Sequence, residues 1–136
     1  MSRSHYTAPM RIWLPALAAW AVLIFIVSSF PNPPDAGGEE LQYEIAHVVE
    51  YLVFGVLAFG ALRSYFPERP LAGIAAAAWA VSALYGMSDE FHQSFVPNRD
   101  ANWLDVGFDA LGAAIGVAAA AVVASRRSTR PSPSTA

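Results

Sequence analysis

The sequence predicts an all-α protein, a four-helix transmembrane bundle with N-terminus and C-terminus both cytoplasmic. Three observations predict it. Four apolar runs approach the thickness of a bilayer core and carry almost no charge. Proline and glycine punctuate the stretches between them. Seven of the eight arginines fall on one side once the runs alternate across a membrane. The chain has 136 residues, 55% hydrophobic and 14% charged, whereas an average soluble domain carries about 25% charged residues.

The first run, residues 12–30, has no charge in nineteen residues. At about 1.5 Å per residue it reaches about 28 Å, close to the hydrocarbon thickness. Pro15 falls near its first turn, where proline is tolerated. Pro31, Pro33 and Pro34, then Gly37 and Gly38, end it. Arg3 and Arg11 precede it as they would in a signal peptide. The run is longer than a usual signal core and no A-x-A-like site follows, so a retained helix is expected.

The second run, residues 45–62, is interrupted near its start by His47 and Glu50. Pro67 and Pro70 bracket a short turn, and a charge-free third run covers residues 71–87. These two runs are slightly short for a span and are expected to extend into their flanks. Pro97 marks the next loop. The fourth run, residues 106–124, carries one carboxylate, Asp109, near its start. Residues 1–124 thus read as one membrane domain. Residues 125–136, rich in Ser, Pro and Arg, read as a disordered cytoplasmic tail. A soluble bundle would need a polar face on each helix, and runs one, three and four lack one along most of their length.

Orientation follows from arginine placement. Arg3, Arg11, Arg63, Arg69, Arg126, Arg127 and Arg130 share one side, and Arg99 alone falls on the other. The arginine-rich side is therefore expected in the cytoplasm. Gly112 and Gly116 form a small-xxx-small face that lets helices approach closely. Asp105 and Asp109 share that face, so it is expected to pack within the bundle. Gly55 and Gly60 read the same way. Trp13 and Trp103 suit a membrane interface.

Three function classes lose support. The formal net charge of −3 gives no nucleic-acid footprint. The absence of cysteine removes disulfides, thiol nucleophiles and thiolate zinc sites.

The polar residues are concentrated instead at the outer membrane face. His47, Glu50 and Tyr51 stand at i, i+3 and i+4 and share a helix face. Asp89, His92 and Gln93 repeat that spacing if the third helix continues past its apolar run. Asp105 and Asp109 enter the fourth helix. Glu44, Asp105 and Glu40 need no more explanation than helix N-termini, where acids help by about 0.3–1 kcal/mol. Glu50 and Asp109 lie about one turn further in. A carboxylate within a bilayer costs roughly 2.5–3.5 kcal/mol on insertion scales, less near the interface. Both imply a wet or polar interior, and Asp89, Glu90 and His92 stand at a helix C-terminus, where acids are disfavoured. Arg99, the one outer cation, is expected to pair with Asp89, Glu90, Asp105 or Asp109. The candidate pocket is therefore His47, Glu50, Tyr51, Asp89, Glu90, His92, Gln93, Arg99 and Asp109.

These residues carry a resemblance. Ser28-Ser29-x-Pro31 closes the first helix and His47-x-x-Glu50-Tyr51 opens the second. Asp89-Glu90-x-His92-Gln93-x-Phe95-Val96-Pro97-x-Arg99 follows, and then Asp105-Val106-x-x-Asp109-x-x-Gly112. In order and spacing the chain resembles the VanZ-like family of small bacterial integral membrane proteins, with the Asp-Glu-x-His-Gln to Arg stretch the specific part. It departs from that pattern at Ile45-Ala46, where the family often has Asp-Lys, and at Asp109, where it often has Asn. The resemblance implies a multi-pass protein of the inner (plasma) membrane with a cell-envelope role. Through the family's named member it also implies a link to resistance against the glycopeptide teicoplanin. It supplies no biochemical mechanism.

The pocket residues support several chemistries. His47, Glu50, Asp89, Glu90, His92 and Asp109 offer nitrogen and oxygen ligands for a divalent metal, with His47, Glu50, Glu90 and His92 put forward as the ligands, although no H-E-x-x-H motif is present. Carboxylates beside imidazoles suit acid–base catalysis by a hydrolase or transferase on a lipid-linked envelope substrate. A proton-coupled small transporter subunit is a further alternative. The largest share goes to a noncatalytic role, binding a cell-envelope ligand or modulating a partner protein. The lipid bilayer is the one partner implied outright, and the oligomeric state stays open.

Overall fold

The computed structural model describes residues 10–31, 40–99 and 101–128. They form four helices, α1 (Met10–Ser28), α2 (Glu40–Tyr65), α3 (Leu71–Gln93) and α4 (Trp103–Ser128), and no strand. The segments Gln42–Tyr65, Leu71–Gln93 and Trp103–Arg127 are long and apolar enough to cross a membrane, and Ile12–Ser28 is a shorter apolar helix. This is the all-α, membrane-spanning class the sequence predicts.

The helices outrun the apolar runs because their extra turns bury polar groups against one another. α2 begins five residues before Ile45 and α3 runs six beyond Met87. The added turns of α3 carry Asp89, Glu90 and Gln93, all buried. α4 begins at Trp103 because Asn102 caps it: Asn102 Oδ1 accepts the Leu104 N–H at 3.0 Å. At its other end α4 continues through Ser128, past the expected boundary at residue 125. Arg126 and Arg127 lie in its last turn, where cations suit the helix dipole. The rest of the expected tail, residues 129–136, lies outside the described residues.

α2 is the hub, touching α1, α3 and α4, and its packing with α4 is the most extensive in the bundle. Glycine permits it. A Cβ on Gly55 would stand 2.6 Å from the Ala113 carbonyl oxygen. Gly112 and Gly116 lie directly against the Val48 and Leu52 carbonyls, with no room for a methyl group. The small-residue face of α4 is thus filled by α2 of the same chain. Trp13 packs its ring on Gly60, and Trp103 is exposed.

Tyr51, Phe54, Ala58 and Phe59 of α2, Ile24 of α1, Ile74 and Ala78 of α3, and Ala113 and Val117 of α4 form the apolar core. The opposite faces expose Leu23, Phe25 and Ile26 of α1, Val81 and Leu84 of α3, and Ile115, Val122 and Val123 of α4. Apolar surface this continuous on helices this long is a lipid-facing surface. Arg63 closes the α2–α3 turn by donating to the carbonyls of Pro67 and Arg69.

Candidate functional site

The alternating helices bring the C-termini of α1 and α3 together with the N-termini of α2 and α4. Every acid and every histidine of the described spans lies at this end. Helical spacing aims Tyr43, His47, Glu50 and Tyr51 from α2 along one face. The last turns of α3 turn Asp89, Glu90 and Gln93 toward it, and α4 contributes Asp105 and Asp109. Gly86 makes room, since a Cβ there would stand 2.9 Å from Asp109 Oδ2 and 3.3 Å from Tyr51 Cε1.

At the centre, His47 Nδ1 lies 2.8 Å from Asp109 Oδ1. With Asp109 as carboxylate, Nδ1–H donates. Asp109 is fully buried, and its second oxygen, Oδ2, has no partner. The hydroxyl of Tyr51, equally buried, has none either. Buried polar atoms without partners are uncommon in native proteins.

Asp89 and Glu90 are held by neutral donors. Ser28 Oγ donates to Asp89 Oδ1 at 2.6 Å, tying α1 to α3. Gln93 Nε2 donates to Asp89 Oδ2 at 2.8 Å and to Glu90 Oε1 at 3.3 Å. The Asn102 backbone N–H donates to Glu90 Oε2 at 3.0 Å. Asp105 is buried beside them.

Arg99 corrects an expectation. It pairs with none of the four acids proposed for it. Its guanidinium donates to Gln93 Oε1 and Tyr43 OH, each at 2.9 Å, and to the Phe30 and Val27 carbonyls at 3.1 and 3.2 Å. The cause is geometric. Arg99 leaves a turn whose preceding residue, Asn98, has φ 61°, a left-handed conformation that asparagine tolerates. From there the planar fork reaches across to the exposed carbonyls that end α1, where a helix wants a cation. Among the described residues the only ion pair joining these acids is His47–Asp109.

His92 also departs from the predicted grouping. It stacks on Phe25 with centroids 4.4 Å apart, and its Nε2 lies 2.9 Å from Ser29 Oγ. The Ser29 hydroxyl already donates to Phe25 O at 2.6 Å, so His92 Nε2–H is the donor. His92 staples α3 to the end of α1 and does not join the buried cluster. The ligand atoms that do converge belong to His47, Glu90 and Asp109, one from each within 4.8 Å of one another. Of the four metal ligands proposed from the sequence, His47 and Glu90 are in this set and Glu50 and His92 are not.

Beside the cluster lies a cavity of about 100 Å3. Ile24, Val27 and Ser28 of α1 line one wall. Tyr43, His47 and Glu50 of α2, Asp89 and Gln93 of α3, and Arg99 line the rest. One side is thus largely apolar and the other polar. Trp20 marks its base by donating Nε1–H to the Glu50 carbonyl at 3.0 Å. The Glu50 carboxylate accepts no hydrogen bond and joins no ion pair among the described residues.

Three contributors were not singled out from sequence: Tyr43, Asn102 and the buried role of Asp105. Asn102 had a readable signal, an N-cap residue followed by a helical pattern at Trp103. Asp105 had one in its place on the Gly112–Gly116 face, set against its reading as a helix-initial acid, and Tyr43 had none, because an interfacial tyrosine looks the same whether or not it faces a pocket.

The sequence model of the VanZ/LLP1 family matches residues 13–124, which run from the first turn of α1 to the last turns of α4 and include every residue of the cluster. No curated protein and no solved structure matches the chain.

Proposed function

The chain belongs to the VanZ/LLP1 family, and from that premise we propose that it binds the polar head of a cell-envelope amphiphile in the cavity at the outer end of its bundle. The protein sits in the bacterial inner membrane with both termini cytoplasmic, so the cavity opens toward the extracytoplasmic leaflet. The concentration of arginine at the opposite end of the bundle supports this orientation.

Glu50 carries the reading. It stands inside an apolar span, where leucine would be cheaper by about 2.5–3.5 kcal/mol at the bilayer centre and by less near the interface. Among the described residues no hydrogen bond or ion pair uses its carboxylate. The cavity in front of it pairs hydrogen-bonding groups of α2 and α3 with the apolar wall of Ile24 and Val27. That division fits a molecule with a hydroxyl- or amine-bearing head and an acyl or prenyl chain.

Trp20 supplies the assay, because its indole bonds to the Glu50 backbone. The full chain in nanodiscs is titrated with lipid-linked envelope precursors while Trp fluorescence is followed. Saturable change that weakens at least tenfold in Glu50→Gln supports the reading. No response beyond that to bulk phospholipid, or an equal response from Glu50→Gln, rejects it. Fusions at the C-terminus test orientation: a cytoplasmic fluorescent reporter should be active and a periplasmic phosphatase inactive. The suggested link to teicoplanin is tested by whether deletion or overexpression changes teicoplanin susceptibility.

A second reading rests on the His47–Asp109 pair. An imidazole oriented through Nδ1 by a buried carboxylate, its Nε2 without a hydrogen-bond partner among the described residues, is the arrangement of a general base. A hydrolase or transferase on the same lipid-linked substrate would use it. Turnover that disappears in His47→Gln while precursor binding persists would favour this second reading.

A further inference from the structure

We propose that His47, Glu90 and Asp109 form a binding site for one divalent transition-metal ion of the zinc class, in the interior between α2, α3 and α4. The inference is independent of what occupies the cavity.

Three observations lead to it. First, one ligand atom from each residue lies within 4.8 Å of the others, and all three residues are buried. An ion about 2.0–2.1 Å from each donor holds neighbouring donors roughly 3 Å apart. His47 Nδ1 and Asp109 Oδ1 are already 2.8 Å apart.

Second, Asp109 has an oxygen with no partner although the residue is fully buried. Its carboxylate is one of the three ligands, and chelation through both oxygens satisfies the orphan. The Tyr51 hydroxyl is the other buried orphan, and its ring and the Asp109 carboxylate both face Gly86.

Third, the charge is uncompensated. Asp89, Glu90, Asp105 and Asp109 are buried at one end of the bundle, and Arg99 bonds to none of them. Buried charges in proteins are paired or coordinate metals. Here the protein supplies one imidazole.

The surroundings suit a ligand set. Glu90 is oriented through both oxygens, by the Asn102 N–H and by Gln93, and Gln93 is itself held by Arg99. Ligating carboxylates are held in this way by an outer layer of hydrogen bonds. One imidazole with two carboxylates selects zinc or manganese over magnesium or calcium, which prefer oxygen alone. Three protein ligands leave a coordination position open. Binding through Nδ1 releases the proton that His47 shares with Asp109.

The test uses the full chain in nanodiscs, stripped with chelator and dialysed against Zn2+ alone. Elemental analysis should find one equivalent per chain. His47→Ala and Asp109→Asn should each drop this below a tenth, and His92→Ala should retain it. Co2+ added to the unmutated chain should give visible bands of a low-coordinate nitrogen–oxygen site, a readout that needs no variant to fold. Zinc no higher than in empty nanodiscs, zinc that survives both substitutions, or a cobalt spectrum of the hydrated ion overturns the proposal. A buried water joining Tyr51 and Asp109 would then account for the two orphans.

Discussion

Removing His47 should damage this protein far more than removing an ordinary membrane hydrogen bond. Such bonds average about 0.6 kcal/mol in double-mutant cycles and reach about 1.7. His47→Ala does more than delete one, because it strips the only partner among the described residues from a carboxylate with no solvent exposure and a second oxygen already unpartnered. Breaking a buried pair from one side costs about 3–5 kcal/mol, most of it the stranded charge. The lower figure shifts the folding equilibrium by roughly a hundredfold. Asp109→Asn keeps a carbonyl for Nδ1–H and should cost about 1–2 kcal/mol. His47→Ala with Asp109→Ala removes both halves, so the double variant should be more stable than the sum of the single ones by at least about 1 kcal/mol. The assay is reversible unfolding in mixed micelles, metal-free, read by tryptophan fluorescence. Trp20 and Trp79 bond across helix pairs at 3.0 Å and report separation of the bundle. A cost below about 1 kcal/mol for His47→Ala, with additive single variants, would show that the pair does not bear the stability assigned to it.

Gly116→Leu should push α2 and α4 apart at the Leu52 carbonyl and cost about 1–3 kcal/mol or more, seen as a lower unfolding midpoint in the same micelles. Asn98→Val should cost about 1–2 kcal/mol through its left-handed backbone while Asn98→Gly stays near neutral, again by unfolding midpoint. Arg99→Lys should keep the charge but lose the four-acceptor fork, weakening precursor binding about tenfold in the Trp20 titration. Glu50→Gln should leave stability unchanged or raise it, because the carboxylate has no partner to lose, and should abolish the precursor response.

The parts of this architecture legible from sequence are those set by solvent and period. Lipid demands long apolar runs, and those runs located all four helices to within several residues. Glycines four apart announced that α4 packs within the bundle, and the structure supplies α2 as its partner. The i, i+3, i+4 spacing of His47, Glu50 and Tyr51 announced a shared face. The misreadings have physical causes too. Arg99 was assigned to the nearest acids, but a turn with asparagine in a left-handed conformation aimed it at the end of α1. His92 has the correct spacing from Asp89, yet lies at the flank of α3, where Phe25 and Ser29 capture it. Asp105 reads both as a helix-initial acid and as part of the inward glycine face, and the choice depends on where Glu90 and Asn102 arrive, a property of tertiary packing. Period specifies a face, and only packing specifies which partner meets it.

The observation on which the site depends is the contact between α2 and α4 at His47 and Asp109, and it can be measured in a bilayer. The chain has three histidines, so 15N-histidine labelling gives a resolvable spectrum. Dipolar recoupling to 13C-labelled aspartate carboxyls in lipid should show one imidazole nitrogen about 3.5 Å from a carboxyl carbon, the separation a 2.8 Å hydrogen bond imposes. That coupling should vanish in Asp109→Asn. No histidine–aspartate coupling in the unmutated protein, or one that persists in Asp109→Asn, would mean that the buried acids of this bundle do not converge as described.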